Sequence, residues 1–382
     1  MISSLSASLS VPGPICIVTE GMLARRAILA ALMGTLVLAT ASAAGAARTL
    51  ARSPTWIQAF AQDGKFISWI PRVPPAKLPC GEAIVIRNLE TGRQRSFMPR
   101  FTPCFSRLGL ALGGRRALGL SAPTTCGNCV GATVWTAALG GHLAELGTFA
   151  QSPDGGGQRV TGMAGDQRLL AFSHIRYRLE NEDCHPCLWN VTGGRVTRVA
   201  KGGTQASVPG VKPAALLAAG AGRLASAPAL DPWEEAANVF PSPRPAEDGP
   251  VDVVNAKTGH PVMTVSPTGT VRALALSADA LAVLVQAGPH GQQRIVRYAI
   301  PDGTMLASTR VRPRGVHALD IAGKWIAYSA FHRIKLIDQL GHKQLLLFAS
   351  HRPIDVSIEG DRVAWAENGS GRHRIRAVSV PQ

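Results

Sequence analysis

The sequence predicts an all-β protein: a β-propeller of seven four-stranded blades behind an N-terminal signal peptide. Three observations carry that reading. A triplet of an aliphatic, a small and usually a large residue recurs along the chain, as Ile67-Ser68-Trp69, Leu118-Gly119-Leu120, Leu170-Ala171-Phe172, Leu281-Ala282-Val283, Ile326-Ala327-Tyr328 and Val363-Ala364-Trp365, with Leu224-Ala225-Ser226 a weaker copy. Successive copies stand 37 to 57 residues apart, the period of a blade of four antiparallel strands. The composition agrees: 40 glycines and 27 prolines in 382 residues, with 17% charged residues, suit many short strands and turns rather than long helices.

The clearest unit runs from Val316 to Ser350. Val316, Ala318 and Ile321 begin an apolar strand, and Ala322-Gly323-Lys324 turns it. Glycine supplies the positive φ of a tight hairpin. Trp325-Ile326-Ala327-Tyr328 is the second strand, aromatic and β-branched. Arg333 to Ile337 alternates as a third strand, and Leu345 to Phe348 is the fourth. Turns between third and fourth strands are read at Thr91-Gly92, Gly140-Gly141, Gly193-Gly194, Thr258-Gly259, Asp302-Gly303 and Leu340-Gly341. The seventh unit stops after its third strand, His373 to Val380. The segment Ala47 to Arg52 is expected to supply the missing strand, closing the ring and covering an open sheet edge.

Residues 1–46 read as a leader. Arg25-Arg26 precedes the apolar run Ala27 to Thr40, and two small-residue cleavage sites follow, Ala41-Ser42-Ala43 and Ala44-Gly45-Ala46. That is the plan of a secretory signal peptide with its start at Met22, and the run is short for a membrane span. Residues 47–382 then form one propeller domain with no transmembrane segment, exported to a bacterial periplasm, cell surface or exterior. The net charge is +16, and removal of the leader takes away two arginines and one glutamate, leaving +15. Such a balance attracts acidic partners, an anionic surface polymer among them. The basic residues form no long run, so nucleic acid is not the expected partner.

Gln62-Asp63-Gly64-Lys65-Phe66-Ile67-Ser68-Trp69 resembles the Asp-Gly repeat of TolB-like, WD-repeat-like exported propellers. The other blades keep only the glycine or neither residue, and the chain has no separate α/β domain ahead of the propeller. The resemblance implies a binding scaffold and transfers no functional residue.

In a four-stranded meander, links between second and third strands leave from the same face as links between blades. All six cysteines of the mature chain fall in such links: Cys80 and Cys104 around blade one, Cys126 and Cys129 in blade two, Cys184 and Cys187 in blade three. An even number in an exported chain points to disulfides among Cys80, Cys104, Cys126, Cys129, Cys184 and Cys187: Cys126–Cys129 and Cys184–Cys187 could close locally, which would leave Cys80 with Cys104, and the sequence leaves the connectivity open. Zinc held by Cys126, Cys129, Cys184 and Cys187 is the second reading, and thiol redox chemistry at Cys184-His185-Pro186-Cys187 the third. The longest insert, residues 230–250 in blade four, opens on the same face, as do the Gly-rich links Gln151 to Gln158 and Lys201 to Val211. Function on a rigid scaffold resides in loops. Trp233, Glu234 and Glu235 are therefore the binding-loop candidates, with an envelope protein as the other expected partner and a monomeric state.

No catalytic or cofactor-binding residue emerges. The histidines show no metal spacing, and Glu234-Glu235 is one adjacent pair rather than two carboxyls across a cleft. The first strands, which line the channel, carry small apolar residues (Leu108, Leu110, Ala214, Leu216, Ala273, Leu274), with Asp320 and Asp355 as exceptions. The expected function is a non-catalytic exported scaffold binding through the loop-rich face of blades one to four. The alternative is a lyase or hydrolase working in the channel.

Overall fold

The computed structural model describes residues 47–72, 83–98, 107–122, 132–150, 156–167, 169–179, 188–229, 233–234, 245–288, 291–311, 316–338, 340–341, 344–348 and 353–380. The leader lies outside these residues. The chain is a seven-bladed β-propeller. Strand β1 (Arg48–Ser53) precedes blade one, which comprises β2 (Ile57–Asp63), β3 (Phe66–Pro71), β4 (Ile84–Asn88) and β5 (Gln94–Phe97). Blade two is β6 (Arg107–Gly113), β7 (Arg116–Ala122), β8 (Ala132–Ala138) and β9 (Ala144–Phe149). Blade three is β10 (Gly156–Asp166), β11 (Leu169–Leu179), β12 (Leu188–Val199) and β13 (Gln205–Ser207). Blade four is β14 (Ala214–Gly220), β15 (Arg223–Pro228), β17 (Val251–Asn255) and β18 (Pro261–Val265), with a two-residue strand β16 (Trp233–Glu234) in its insert. Blade five is β19 (Thr270–Leu276), β20 (Ala280–Gln286), β21 (Gln293–Ala299) and β22 (Met305–Arg310). Blade six is β23 (Val316–Ala322), β24 (Trp325–Ala330), β25 (Arg333–Asp338) and β26 (Gln344–Phe348). Blade seven is β27 (Pro353–Glu359), β28 (Arg362–Gly369) and β29 (Arg372–Ser379), completed by β1.

The closing strand lies where the sequence places it. β1 runs antiparallel to β29, with Arg48 opposite Ala377 and Ser53 opposite His373. The first strand of each blade packs beside that of the next, and β27 returns to β2, so the ring is complete.

The recurrent triplets lie in the second strands, and their small residues explain how the blades pack. Ala171, Ala225, Ala282, Ala327 and Ala364 are fully buried. At Gly119 a Cβ would stand 2.5 Å from Ile84 Cδ1 of blade one, so the neighbouring side chain fills the space a larger residue needs. Trp69, Trp325 and Trp365 are buried as inter-blade core.

Polar ties join the apolar layers. Ser173 Oγ accepts from Ala214 N at 2.8 Å, linking blade three to four. Gln293 Oε1 accepts from Val316 N at 3.1 Å, linking five to six. The Asn368 amide brackets Ile57, accepting from its N at 2.8 Å and donating to its O at 2.8 Å, and so ties seven to one. Each tie satisfies a buried backbone group that no strand pairing reaches.

One turn assignment and two link assignments need correction. Gly193-Gly194 lies inside β12 rather than in a turn, and the third turn of blade three is the short 3-10 segment Lys201–Gly203. Gly194 answers a close approach: a Cβ there would stand 2.3 Å from His174 O. In consequence Lys201–Gly203 belongs to the tight-turn face, and Gly156 to Gln158 belong to β10 itself.

Candidate functional site: the loop-rich face and its projecting ribbon

Strand length singles out blade three. β10, β11 and β12 have 11, 11 and 12 residues, against 5 to 8 for the inner three strands of the other blades. Six innermost strands carry a register shift near their start, at Ile57/Ala59 in β2 and at Val160/Gly162 in β10. Aligning those two shifts leaves residues 156–159 as the excess. The three strands thus rise above the loop face by roughly 13 Å, at about 3.3 Å per residue.

The two faces of this ribbon differ. Ile175 and Tyr177 are buried on one side and pack with Val191 and Ala229, toward blade four. Arg176 and Arg178 alternate with them on the other side and are exposed. Arg195, also exposed, stands opposite His174 in the same register. His174 lies at the base of the arginine side, 5% exposed, its ring 4.9 Å from Phe149. Its Nδ1 has no hydrogen-bond partner among the described residues. Burial, then the charges of Arg195 and Arg176, lower its pKa to about 4, so the ring is neutral at pH 7.

The blade-four insert crosses to this ribbon. β16 pairs antiparallel with the start of β12, Trp233 opposite Trp189 and Glu234 opposite Leu188. The insert is anchored on its return: Ala229 bridges Pro245, and Glu247 bridges Thr270 of blade five. Asp248 Oδ1 also accepts from Gly269 N at 2.6 Å. Two of the three binding-loop candidates, Trp233 and Glu234, are thereby brought onto blade three. Glu235 lies outside the described residues, as do Cys80, Cys104, Cys126, Cys129, Cys184 and Cys187. Among the described residues no group of three or more His, Cys, Asp or Glu is placed to hold a metal ion. No described helix is long and apolar enough to cross a membrane.

The channel-lining strands hold the expected Asp320 and Asp355, and three further carboxylates join them. Asp63, Asp166 and Glu359 end the innermost strands β2, β10 and β27 at the tight-turn face, and Asp320 lies two residues before the end of β23. Burial raises the pKa of each, Asp63 and Asp320 to about 6. Every one of them accepts from a backbone amide of the next blade. Asp63 takes Gly114 N, Asp166 the amides of Ala221 and Gly222, and Glu359 that of Gly64. Asp320 Oδ2 takes Ile358 N at 2.8 Å and the Ser357 hydroxyl at 2.7 Å. Asp355 follows the same rule, accepting from Phe60 N at 3.0 Å. Their arrangement is that of clasps between blades. A carboxylate beside a hairpin looks like an ordinary turn residue in sequence, and only the neighbouring blade reveals its partner.

Comparison with known proteins adds fold evidence. The β-propeller domain of the trilobed protease from Pyrococcus furiosus is 9% identical over 86% of this chain and 94% of that one, with a TM-score of 0.52. The Pan2 WD40 domain of Neurospora crassa is 10% identical over 88% and 96%, TM-score 0.48. BamB from Moraxella catarrhalis is 13% identical over 85% and 86%, TM-score 0.44. The likeness to the Pyrococcus domain lies in the β-propeller architecture. At these identities it concerns the fold alone. The Pyrococcus propeller is described as having an open velcro topology, whereas here β1 closes blade seven. No protein-family model matches the chain, and no curated protein does.

Proposed function

We propose that the chain is an exported, non-catalytic propeller that acts at the cell envelope as a binding scaffold, its partner a protein or ligand docking on the loop-rich face. The observation that carries this reading is the pairing of β16 with β12. It fastens the longest insert to the projecting ribbon and joins blades three and four into one raised surface. That surface offers the exposed arginines Arg176, Arg178 and Arg195, a residue type enriched in binding hot spots. The alternative, hydrolase or lyase chemistry in the channel, draws on the raised carboxylates. Their engagement with backbone amides of neighbouring blades favours the scaffold.

The test is a comparison of the full chain with a Trp233→Gly, Glu234→Pro variant, which removes a ladder donor and the β16 side chains. Both are expressed with export and captured with associated envelope proteins. The scaffold reading expects a partner retained by the parent and lost by the variant, with both chains folded. A partner held equally by both, or turnover of an ester or glycan abolished by Asp320→Asn, would contradict it.

A further inference from the structure

The seam between blades two and three, at the foot of the ribbon, holds polar side chains that no clasp between blades uses. Phe172, His174 and Arg176 share one face of β11. Arg195 and Thr197 share the same face on β12, Arg195 opposite His174 and Thr197 opposite Phe172. That face meets blade two, since Phe172 and Val199 pack with Val134 and Phe149, and the His174 ring lies 4.9 Å from that of Phe149. Two of its polar atoms are buried orphans. Thr197 is 1% exposed, and neither its Oγ1 nor Nδ1 of His174 has a hydrogen-bond partner among the described residues. Diagonal neighbours on one face have Cβ atoms about 7 Å apart, so one small group between them meets both. Buried polar groups without a partner are few in folded proteins, and each calls for an explanation such as a water or an ion.

Two guanidinium groups are brought to the same place. Arg195 stands directly opposite His174. Arg176, two residues on, leans across β12, where a Cβ added to Gly193 would lie 4.0 Å from its Cδ. The charges of both arginines act on His174, and neither forms an ion pair with a described residue. The strands packed around His174 supply no counter-charge. On β10 the residues opposite Arg176 and His174 are Gln158 and Val160, and on β13 those opposite Thr197 and Val199 are Ser207 and Gln205. On β9, Glu145 is exposed and accepts from the Thr148 hydroxyl at 2.9 Å. Among the described residues two like charges, a hydroxyl and an imidazole nitrogen thus meet with no acid to answer them.

We propose that this seam is an oxyanion site, a carboxylate or phosphate group being held by the guanidinium forks of Arg176 and Arg195 with Thr197 Oγ1 and His174 Nδ1 beneath them. Guanidinium forks match such groups in bidentate fashion. A water molecule satisfies the two orphans but leaves the like charges uncompensated. A metal cation meets two guanidinium groups and is repelled. An apolar ligand buries the orphans without a partner, at a cost. An oxyanion offers acceptor lone pairs to all four groups and balances their charge. The site rests on the binding reading for the ribbon and names the chemistry of what that surface holds, an acidic group.

The experiment follows the His174 imidazole of the full chain by NMR, assigned with His174→Gln, while inorganic phosphate or a hexaglutamate peptide is added. A bound oxyanion should raise the His174 pKa by about one unit or more, the effect of a close opposite charge. Both probes should therefore bind more tightly at pH 5.5 than at pH 7.5. Arg195→Gln should weaken binding about tenfold, as loss of a charged hydrogen bond does, and Thr197→Val about fivefold. Lys257→Gln on the tight-turn face should bind as the parent does. Tighter binding of the peptide assigns the group to an acidic segment of a partner, and tighter binding of phosphate assigns it to a free ion. Either upholds the site. A His174 signal unmoved by both probes overturns the proposal, as does parental affinity in Arg195→Gln and Thr197→Val, which marks a diffuse charge effect. Binding that emerges only when Glu180, Glu182 and Asp183 of the adjoining link are neutralised shows the chain filling its own site, and overturns it also. The β16 variant should bind both probes as the parent does, because its pairing at Leu188 and Trp189 lies outside the site. The two readings therefore fail separately.

Discussion

Blade seven is held around a buried acid, and its removal should loosen the closure of the ring. Glu367 is fully buried, and its side chain meets Arg374, Arg376 at 3.7 Å and the Trp365 indole N–H at 3.2 Å. Arg376 Nη2 in turn donates to Ala47 O at 3.1 Å, beside the start of β1. Glu367→Gln keeps the shape and an acceptor but leaves two guanidinium groups without their counter-charge. Breaking a fully buried pair costs about 3–5 kcal/mol. The arginine side chains here are 27% and 20% exposed, so water recovers part of the loss, and roughly 2–3 kcal/mol is the expected cost. Spread over roughly 330 folded residues, that lowers Tm by about 3–4 °C. Thermal unfolding of parent, Glu367→Gln, Arg374→Gln and the double variant measures it. The double variant should fall well short of the sum of the singles, and the N-terminal strand should be cut faster by protease in Glu367→Gln. A shift below about 0.5 kcal/mol, within the range of ordinary surface changes, or strict additivity, would refute the reasoning.

Two further predictions concern pH and have opposite signs. Asp63 is nearly fully buried, and its folded pKa of about 6 lies above the ordinary aspartate value of 3.8. Its contribution is full below pH 3.8 and is lost as pH rises through 6. Asp63→Asn, which still accepts from Gly114 N, should therefore gain on the parent between pH 4 and 7, by up to about 3 kcal/mol. A parent–variant difference that stays constant with pH in denaturant titrations would contradict this. His174 runs the other way. Its folded pKa of about 4 lies below 6.5, so its contribution is present above pH 6.5 and lost as pH falls toward 4. His174→Phe, placed against Phe149, should flatten the acid limb of stability between pH 6.5 and 4.5, and a limb of unchanged slope would exclude His174 as its source.

Much of the architecture is legible in the sequence because the propeller repeats a local rule. The triplet with a small middle residue appears in every second strand, since neighbouring blades crowd there. The closing strand is legible from an absence, a seventh unit with three strands and a spare segment at Ala47 to Arg52. The ribbon was hidden by Gly193-Gly194, which in sequence is indistinguishable from a turn. In the fold these glycines allow β12 to continue past His174. The clasps of Asp63, Asp166, Asp320 and Glu359 depend on amides 38 to 56 residues onward or, for Glu359, across the chain's closure. No local pattern encodes a partner at that separation.

The central claim is that the raised face of blades three and four is where the partner docks. Photo-crosslinking tests it most directly, with the crosslinking residue placed singly at Arg178 on the ribbon and at Lys257 on the tight-turn face. The account predicts a discrete adduct from position 178 in the envelope of the expressing cell and none from position 257. Adducts from position 257 alone would move the docking surface to the opposite face and contradict it.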